Sequence, residues 1–225
     1  MDTRTEEPIQ KESAGTIAYN FLLNKIVNGE LKPGDRISLR KIAAQVGSSV
    51  IPVLEAFQRL SGEMLIQSVP HSGYTVTVPS FAMLKETYQM REAIECLSAR
   101  LLARTITEAQ YQTLLHYATI LDTVPVTDET REEAQKAHRS FHLLLTQYTG
   151  NSLMYATLKR INLFWILSNA TNQGGKINTC PRYWHRLLLD EIHTGNPERA
   201  EMEMRTHILA SYQLIEQAHV DGTLP

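Results

Sequence analysis

The chain has 225 residues, 43% of them hydrophobic and 20% charged, a composition typical of a soluble globular protein with room for two domains. No apolar run reaches the roughly 20 residues of a membrane span, and the N-terminal MDTRTEEPIQ lacks the apolar segment of a secretory signal. The two cysteines, Cys96 and Cys180, are too few for a disulfide framework or a thiolate metal site. The sequence therefore predicts a cytoplasmic protein with reduced cysteines and no membrane contact, whose residues 1–10 form a disordered tail.

The charge distribution gives weak support to nucleic-acid binding. A formal net charge of −2 disfavours a general coat protein for nucleic acid. Residues 11–78 nevertheless hold seven basic and five acidic side chains, a modest local excess of positive charge.

The first part of the chain has the pattern of a winged helix-turn-helix. Apolar residues at helical spacing predict a helix at 11–28 and two shorter helices within residues 38–60, SLRKIAAQVGSSVIPVLEAFQRL. The predicted buried stripe of the first helix is Ile17, Phe21, Leu22 and Ile26, and that of the last is Val53, Ala56, Phe57 and Leu60. Gly47 lies between the two short helices, where a left-handed turn residue is needed. Two runs rich in Val, Ile, Thr and Tyr on either side of residues 70–73 predict a hairpin. Helix, turn, helix and hairpin together predict a winged helix-turn-helix over residues 11–78.

From Pro79 onward the pattern is helical throughout. We expect a mainly α protein in which the winged helix-turn-helix is followed by an all-α six-helix bundle at 79–225. Ser80 is a good N-cap, Thr107 with Gln110 can form a capping box, and Gly150 and Gly195 end helices. The predicted helices of the bundle are 81–105, 108–123, 128–149, 152–170, 181–194 and 197–219.

Four histidines of the second domain fall on inward-facing stripes. His138 and His142 lie one helical turn apart, and His185 and His207 share the apolar stripes of two later helices. Converging neutral imidazoles are good ligands for zinc, nickel or a similar divalent ion. By spacing alone, the alternative is that each is a core histidine with its own hydrogen-bond partner.

Several motifs carry a family resemblance. Residues 28–76, NGELKPGDRISLRKIAAQVGSSVIPVLEAFQRLSGEMLIQSVPHSGYTV, resemble the DNA-binding domain of GntR-family bacterial transcription regulators. The motifs MREAIECLSARLLA, HRSFHLLLTQYTGNSLM and HRLLLDEIHTGNPERAEMEMRTHI resemble the effector domain of the FadR-like, or FCD, branch of that family. Six predicted helices are similar to its VanR-type subgroup.

The resemblance implies a divalent metal, zinc or nickel, at His142, His185 and His207. His138 stands where the family usually places an aspartate. Four neutral imidazoles would leave a divalent site with a net charge of +2, whereas one carboxylate would leave +1, so an anionic effector should be attracted more strongly. In the alternative, His138 does not bind the metal and water or the effector takes its place.

The resemblance also implies a small carboxylate effector. Arg91 would pair with the effector carboxylate through its planar guanidinium, and Arg160 is a second candidate for that role. The alternative for Arg91 is a surface ion pair with Glu95 at helical spacing.

The family works as homodimers on operator DNA, so the resemblance implies a ligand-responsive regulator, with a repressor preferred over an activator. Val50, Ile51 and Leu54 stand where members commonly carry arginine, threonine and arginine, which contact bases and phosphates. Either the operator is A·T-rich and is read by apolar contacts, or specific DNA binding has been lost. The candidate DNA contacts are Ser38, Arg40, Lys41, Ser48, Ser49, Arg59, His71 and Gly73.

Two other functions compete with this interpretation. A histidine-bound metal could activate water, as in a metal-dependent hydrolase, although no general base or nucleophile motif accompanies the cluster. Alternatively, the metal ion itself could be the signal, and the protein would be a metal sensor with weakened sequence-specific DNA binding.

Overall fold

The computed structural model describes residues 12–70, 73–125, 127, 129–171 and 184–222, apart from the side chains of residues 131, 162–171 and 218. The predicted tail at 1–10 lies outside these residues, as do His71 and Cys180. The chain divides into two compact units, Met1–Thr77 and Val78–Pro225.

The first unit combines three helices with a small sheet. Its core is formed by one face of each helix and one face of the sheet. In chain order, its elements are α1 (Ala14–Val27), β1 (Arg36–Ile37), α2 (Leu39–Val46), α3 (Val50–Gly62), β2 (Ile66–Val69) and β3 (Gly73–Val76).

The predicted helix-turn-helix is present as α2 and α3. Gly47 ends α2 in the left-handed conformation at φ 65, which a residue without a side chain adopts without strain. Val53, Phe57 and Leu60 of α3 are fully buried, as their helical spacing predicted. The stripe of α1 differs from the prediction, because Ile17 is 44% exposed and the neighbouring Ala18 and Tyr19 take the buried positions.

The hairpin is also present, and one strand joins it that the pattern did not reveal. β2 and β3 pair antiparallel with Val69 opposite Gly73, and β1 pairs with the other edge of β3. Because β1 has only two residues, it is too short to show an alternating pattern. Tyr74 of β3 packs its ring edge-on against Phe57 of α3 at 4.8 Å, which fixes the hairpin to the helix-turn-helix.

Six helices make up the described part of the second unit. They begin and end within a few residues of the predicted positions, and Thr107 with Gln110 forms the predicted capping box. The helices are α4 (Phe81–Leu102), α5 (Glu108–Thr123), α6 (Arg131–Gln147), α7 (Ser152–Thr171), α8 (Trp184–His193) and α9 (Pro197–Val220).

The core of the second unit lies between α4, α5, α6, α8 and α9. The largest set of buried apolar side chains includes Leu102, Leu114, Leu145, Leu189 and Met204, one from each of these helices. Such a core brings the inward faces of α6, α8 and α9 together. No helix among the described residues is both long and apolar enough to cross a membrane.

Cys96, on α4, behaves as the sequence predicted. It is a free thiol with only 3% of its surface exposed. Burial raises its pKa to about 12, so the side chain stays protonated and serves as a small apolar group.

Candidate metal centre and DNA-binding surface

α6 supplies the first two histidines of the site. His138 and His142 lie one turn apart on it, with their ring centroids separated by 4.4 Å. His142 is fully buried beside Phe141, whereas His138 is half-buried. The side of the cluster nearest to solvent is therefore the side of His138.

α8 and α9 each add one buried imidazole. The centroids of the His185 and His207 rings lie 4.8 Å apart, and that of His207 lies 5.3 Å from that of His142. One nitrogen atom from each of the four rings, His138 included, lies within 4.8 Å of the others. The structure thus brings together all four histidines that the sequence singled out.

A buried carboxylate on α4 fixes the tautomer of His142. The Nδ1 atom of His142 is hydrogen-bonded to Oε2 of Glu95, whose side chain is 1% exposed. An ionised carboxylate only accepts hydrogen bonds, so the ring proton is on Nδ1 and the lone pair is on Nε2. That Nε2 atom is buried and has no hydrogen-bond partner in the described structure. This is how a metal-binding histidine is usually held.

Asp122, at the end of α5, does the same for His185. Its Oδ1 atom lies 2.9 Å from Nδ1 of His185, and the Nε2 atom of that ring is again buried without a partner in the described part of the chain. The carboxylate also accepts the backbone N–H groups of His185 at 3.2 Å and Arg186 at 2.9 Å. Asp122 therefore caps the N-terminus of α8 and orients the ring of its second residue.

The remaining electrostatics favour neutral rings. Burial lowers the pKa of His138, His142 and His207 well below the usual value, and neighbouring imidazoles and the Arg91 guanidinium add to this effect. Neutral imidazole is the form that binds metal. Both ring nitrogens of His207 are buried with no hydrogen-bond partner among the described residues. Each such orphaned atom costs about 1–3 kcal/mol, which a bound cation would offset.

The donor set fits a borderline transition metal. Four imidazole nitrogens suit zinc, nickel or copper and are a poor match for magnesium or calcium, which prefer oxygen. Zinc bound by all four rings would be tetrahedral and closed. An ion that takes five or six ligands would leave coordination positions for a further molecule.

Arg91 is not the surface residue that one alternative supposed. Its Nε atom donates to Oε1 of Glu95 at 2.7 Å, and the two side chains are only 2% and 1% exposed. The predicted Arg91–Glu95 pair therefore exists, but it is buried beside the histidines. Glu95 bridges Arg91 and His142, so the guanidinium is linked to the cluster through one carboxylate.

The buried carboxylates change the charge expected for the site. With Glu95 and Asp122 ionised and Arg91 protonated, a divalent ion on four neutral imidazoles has a local net charge of +1 rather than +2. Arg160, the other predicted effector residue, is exposed on α7, and none of the contacts described for the cluster involves it. The effector roles of both arginines stay predictions.

Sequence reasoning did not identify Glu95 and Asp122 as part of the site. Glu95 is 47 residues from its histidine and Asp122 is 63 residues from its own. The one local signal was the i,i+4 spacing of Glu95 from Arg91, which by itself indicates an ordinary helical ion pair. For Asp122 the sequence carries no signal, because its position at the end of α5 matters only once α8 packs beside it.

Two of the predicted DNA contacts are helix caps in the first unit. The Ser38 hydroxyl accepts the backbone N–H of Lys41 at 3.4 Å and so begins α2. Ser49 is the N-cap residue of α3, but its side chain makes no capping hydrogen bond. Its hydroxyl is exposed at the start of the second helix of the motif, where base and phosphate contacts are made.

The predicted basic contacts differ in their surroundings. Arg40 and Lys41 are exposed on the first turn of α2, and no carboxylate among the described residues forms an ion pair with either. By contrast, the Arg59 guanidinium lies 3.6 Å from the centre of the Tyr19 ring and 3.6 Å from Oε1 of Glu63. Arg59 thus contributes to packing within the unit, whereas Arg40 and Lys41 are free to meet phosphates.

The other candidates lie around the turn and the hairpin. Ser48 donates its backbone N–H to Ala43 and is half-buried in the turn. Gly73 begins β3 with φ 85, a conformation that favours glycine. His71 lies outside the described residues, so its role stays a prediction.

The comparisons with known proteins agree with this architecture. Residues 16–76 match the family described as bacterial regulatory proteins, gntR family, and residues 86–210 match the FCD domain. A probable D-xylose utilization operon transcriptional repressor from Paenarthrobacter nicotinovorans is 26% identical, over 97% of this chain and 95% of its own. YdhC of Bacillus subtilis, an HTH-type transcriptional regulator, is 28% identical over 84% of this chain and 85% of its own.

Solved structures show the same fold. A GntR regulator from Rhodococcus sp. RHA1 superimposes with a TM-score of 0.77 at 22% identity, covering 91% of this chain and 99% of the other. Escherichia coli McbR/YncC gives a TM-score of 0.72 at 20% identity, covering 90% of this chain and 99% of the other.

The relatives are regulators and not enzymes, so the hydrolase alternative is wrong. The chain therefore belongs to the GntR family of bacterial DNA-binding transcriptional regulators and carries an FCD domain after its winged helix-turn-helix.

Proposed function

We propose that this regulator binds a divalent transition metal through His138, His142, His185 and His207 and responds to a small carboxylate that completes the coordination sphere. The observation that carries the proposal is the convergence of four imidazole nitrogens within 4.8 Å, where His142, His185 and His207 each have a buried nitrogen with no hydrogen-bond partner among the described residues. A core histidine with its own hydrogen-bond partners would leave no such orphaned atoms.

The orientation of the rings supports a metal rather than a chance cluster. In His142 and His185, a carboxylate holds the proton on Nδ1 and leaves the Nε2 lone pair free. Two rings from two different helices are held in the same way, which packing alone does not explain. A lone pair buried in an apolar core without a partner costs free energy.

Charge and exposure favour an anionic effector. A site with a local net charge of +1 attracts one carboxylate, and the low dielectric of a buried cluster strengthens that attraction. His138 is less buried than the other three, so the effector would approach from its side and bind the metal beside this ring or in its place. Arg91, which Glu95 links to His142 through two hydrogen bonds, would stabilise the bound anion.

The regulatory step follows from linkage. An effector changes DNA binding only if it binds one of two arrangements of the protein more tightly than the other. The difference between its two binding free energies sets the largest change it can cause in DNA affinity. We infer that the protein acts in the cytoplasm as a homodimer on a two-fold symmetric operator. A relative that is described as a repressor favours repression as the direction of control.

Metal analysis of the purified protein tests the site. The wild-type protein should carry close to one zinc or nickel ion per chain, and His142→Ala should carry almost none. His116→Ala is a matched control, because His116 lies on α5 outside the cluster. An absence of metal in wild-type protein reconstituted with zinc, nickel or copper would refute the site.

DNA affinity then separates the effector proposal from the metal-sensor alternative. It should be measured with metal chelated, with metal restored, and with metal plus a panel of small carboxylates. The proposal expects the decisive change on adding a carboxylate to the metal-loaded protein. A full response to metal alone, with no carboxylate effect, would identify a metal sensor instead.

A further inference from the structure

The outer face of α3 begins with aliphatic side chains. Ile51 is 71% exposed and Val50 is 42% exposed, while Leu54, one turn further on, is half-exposed. All three lie on the first turns of the second helix of the helix-turn-helix. Exposed branched residues at this position place apolar surface where a DNA-binding helix meets base edges.

The polar groups nearby do not take over this face. The carboxylate of Glu55 points toward α1, since its Oε2 atom would lie 3.0 Å from a Cβ placed on Gly15. The next exposed polar side chain along α3 is Gln58, two turns from its start. The leading end of α3 therefore offers a ligand methyl groups and the Ser49 hydroxyl, without a guanidinium or an amide.

Positive charge lies on the helix that packs against α3. Arg40 and Lys41 are exposed on the first turn of α2, which packs against α3, and neither forms an ion pair with a described carboxylate. Unpaired cations on the helix beside an apolar helix end complement a DNA groove, in which phosphates line the edges and the thymine methyl is the apolar group of the floor. This charge pattern favours DNA over an apolar protein surface as the occupant.

We propose that Val50 and Ile51 read the operator by contact with the C5-methyl groups of thymine. An aliphatic side chain makes no hydrogen bond to a base edge, so it distinguishes T·A from the other pairs through that methyl group. Each half-site should then contain at least one thymine whose methyl group is required. The inference depends on the DNA-binding activity of the family and not on the metal or the effector.

Replacement of thymine by uracil isolates this contact, because it removes one methyl group and leaves base pairing unchanged. A binding site is first selected from random duplexes with the purified full-length protein, and each thymine is then replaced in turn. Loss of one buried methyl group should weaken binding about fourfold at the critical positions. If Ile51 makes that contact, the same replacement should not change the DNA affinity of Ile51→Ala. If Val50 makes it, the replacement should not change the DNA affinity of Val50→Ala.

Leu153→Ala provides the control, since Leu153 is 76% exposed but lies on α7 in the second unit. It should retain the full penalty for uracil. Equal binding of all uracil-substituted duplexes by the wild-type protein would overturn the proposal, as would a penalty that persists in both aliphatic variants. Failure of the selection to enrich any sequence would also overturn it and would favour loss of specific DNA binding. The selection is carried out with both the metal-free and the metal-loaded protein, so these outcomes do not bear on the metal proposal.

Discussion

Asp122→Asn tests whether the buried carboxylates prepare the histidines for metal. In the wild-type protein, Asp122 accepts three hydrogen bonds, from Nδ1 of His185 and from the backbone N–H groups of His185 and Arg186. Asparagine is almost the same size but has only one accepting atom. If its oxygen serves Arg186, its amide group faces Nδ1 of His185 as a donor. The ring then favours the tautomer with the proton on Nε2, which blocks the metal-binding atom.

The expected loss can be estimated from these contacts. Removing a partner that orients a metal-binding histidine lowers metal affinity about 10- to 100-fold, equivalent to about 1.4–2.8 kcal/mol. The variant also weakens the cap of α8, which should lower the free energy of unfolding by about 1 kcal/mol even without metal. A destabilised cap alone does not change which nitrogen carries the ring proton, so the two effects can be separated.

Competition against a chelator of known affinity measures the first effect, and urea unfolding of the metal-free protein measures the second. Long-range ¹⁵N–¹H spectra of metal-free protein report the His185 tautomer directly. Asn196→Ala is the matched control, because it removes an exposed helix cap from α9 and should lose similar stability without affecting the metal. If Asp122→Asn binds metal as tightly as the wild-type protein, or keeps the Nδ1–H tautomer, the carboxylate does not prepare the ring.

Three further substitutions test other parts of the structure. Arg91→Met leaves its partner carboxylate buried and uncompensated, so it should lower the free energy of unfolding in urea by about 3–5 kcal/mol. Arg100→Met, at a partly exposed ion pair with Glu201, should have a much smaller effect, and equal losses would contradict the buried pair. His207→Leu removes two orphaned nitrogens, so the metal-free protein should melt at the same or a higher temperature. The metal-dependent rise in its Tm should disappear; if it remains, His207 is not a ligand. Arg40→Ala should reduce the slope of log affinity against log salt by about 1, whereas Arg59→Ala should lower stability with little change in slope. A reversed pattern would assign the phosphate contact to Arg59.

The sequence predicted the helices and their buried faces because both depend on local periodicity. Val53, Phe57 and Leu60 repeat at helical spacing, and the structure buries all three. His142 and His207 were assigned to the core in the same way. Helical spacing does not identify the buried face where two adjacent faces are both apolar. Ile17 has the spacing of the buried stripe of α1, yet Tyr19 is buried instead and its hydroxyl donates to Glu63, which follows α3.

The polar groups around the histidines could not be predicted, because their roles depend on tertiary packing. Arg91 and Glu95 have the spacing of a surface pair, and nothing in their immediate sequence shows that both side chains are buried. Asp122 closes a helix whose first residue lies more than sixty positions later in the chain. A hydrogen bond between distant helices has no periodicity, so its two ends are connected only by the folded structure.

Five of the six helices described in the second unit contribute to the histidine cluster. α6, α8 and α9 carry the imidazoles, while α4 and α5 carry the carboxylates that orient two of them. Packed interiors are stiff and resist small continuous shifts. An ion bound by residues of three helices would therefore couple these helices, because one of them could move only if the bonds of the ion to the other two also changed. α4 is also the first helix after the winged helix-turn-helix, and its Glu95 bonds a ring of the cluster directly. A carboxylate that enters the coordination sphere and displaces His138 would therefore act on α6 first. The change would then reach α4 through the hydrogen bond between His142 and Glu95. If the protein binds such an effector, the route to the DNA-binding unit would begin at the His142–Glu95 hydrogen bond.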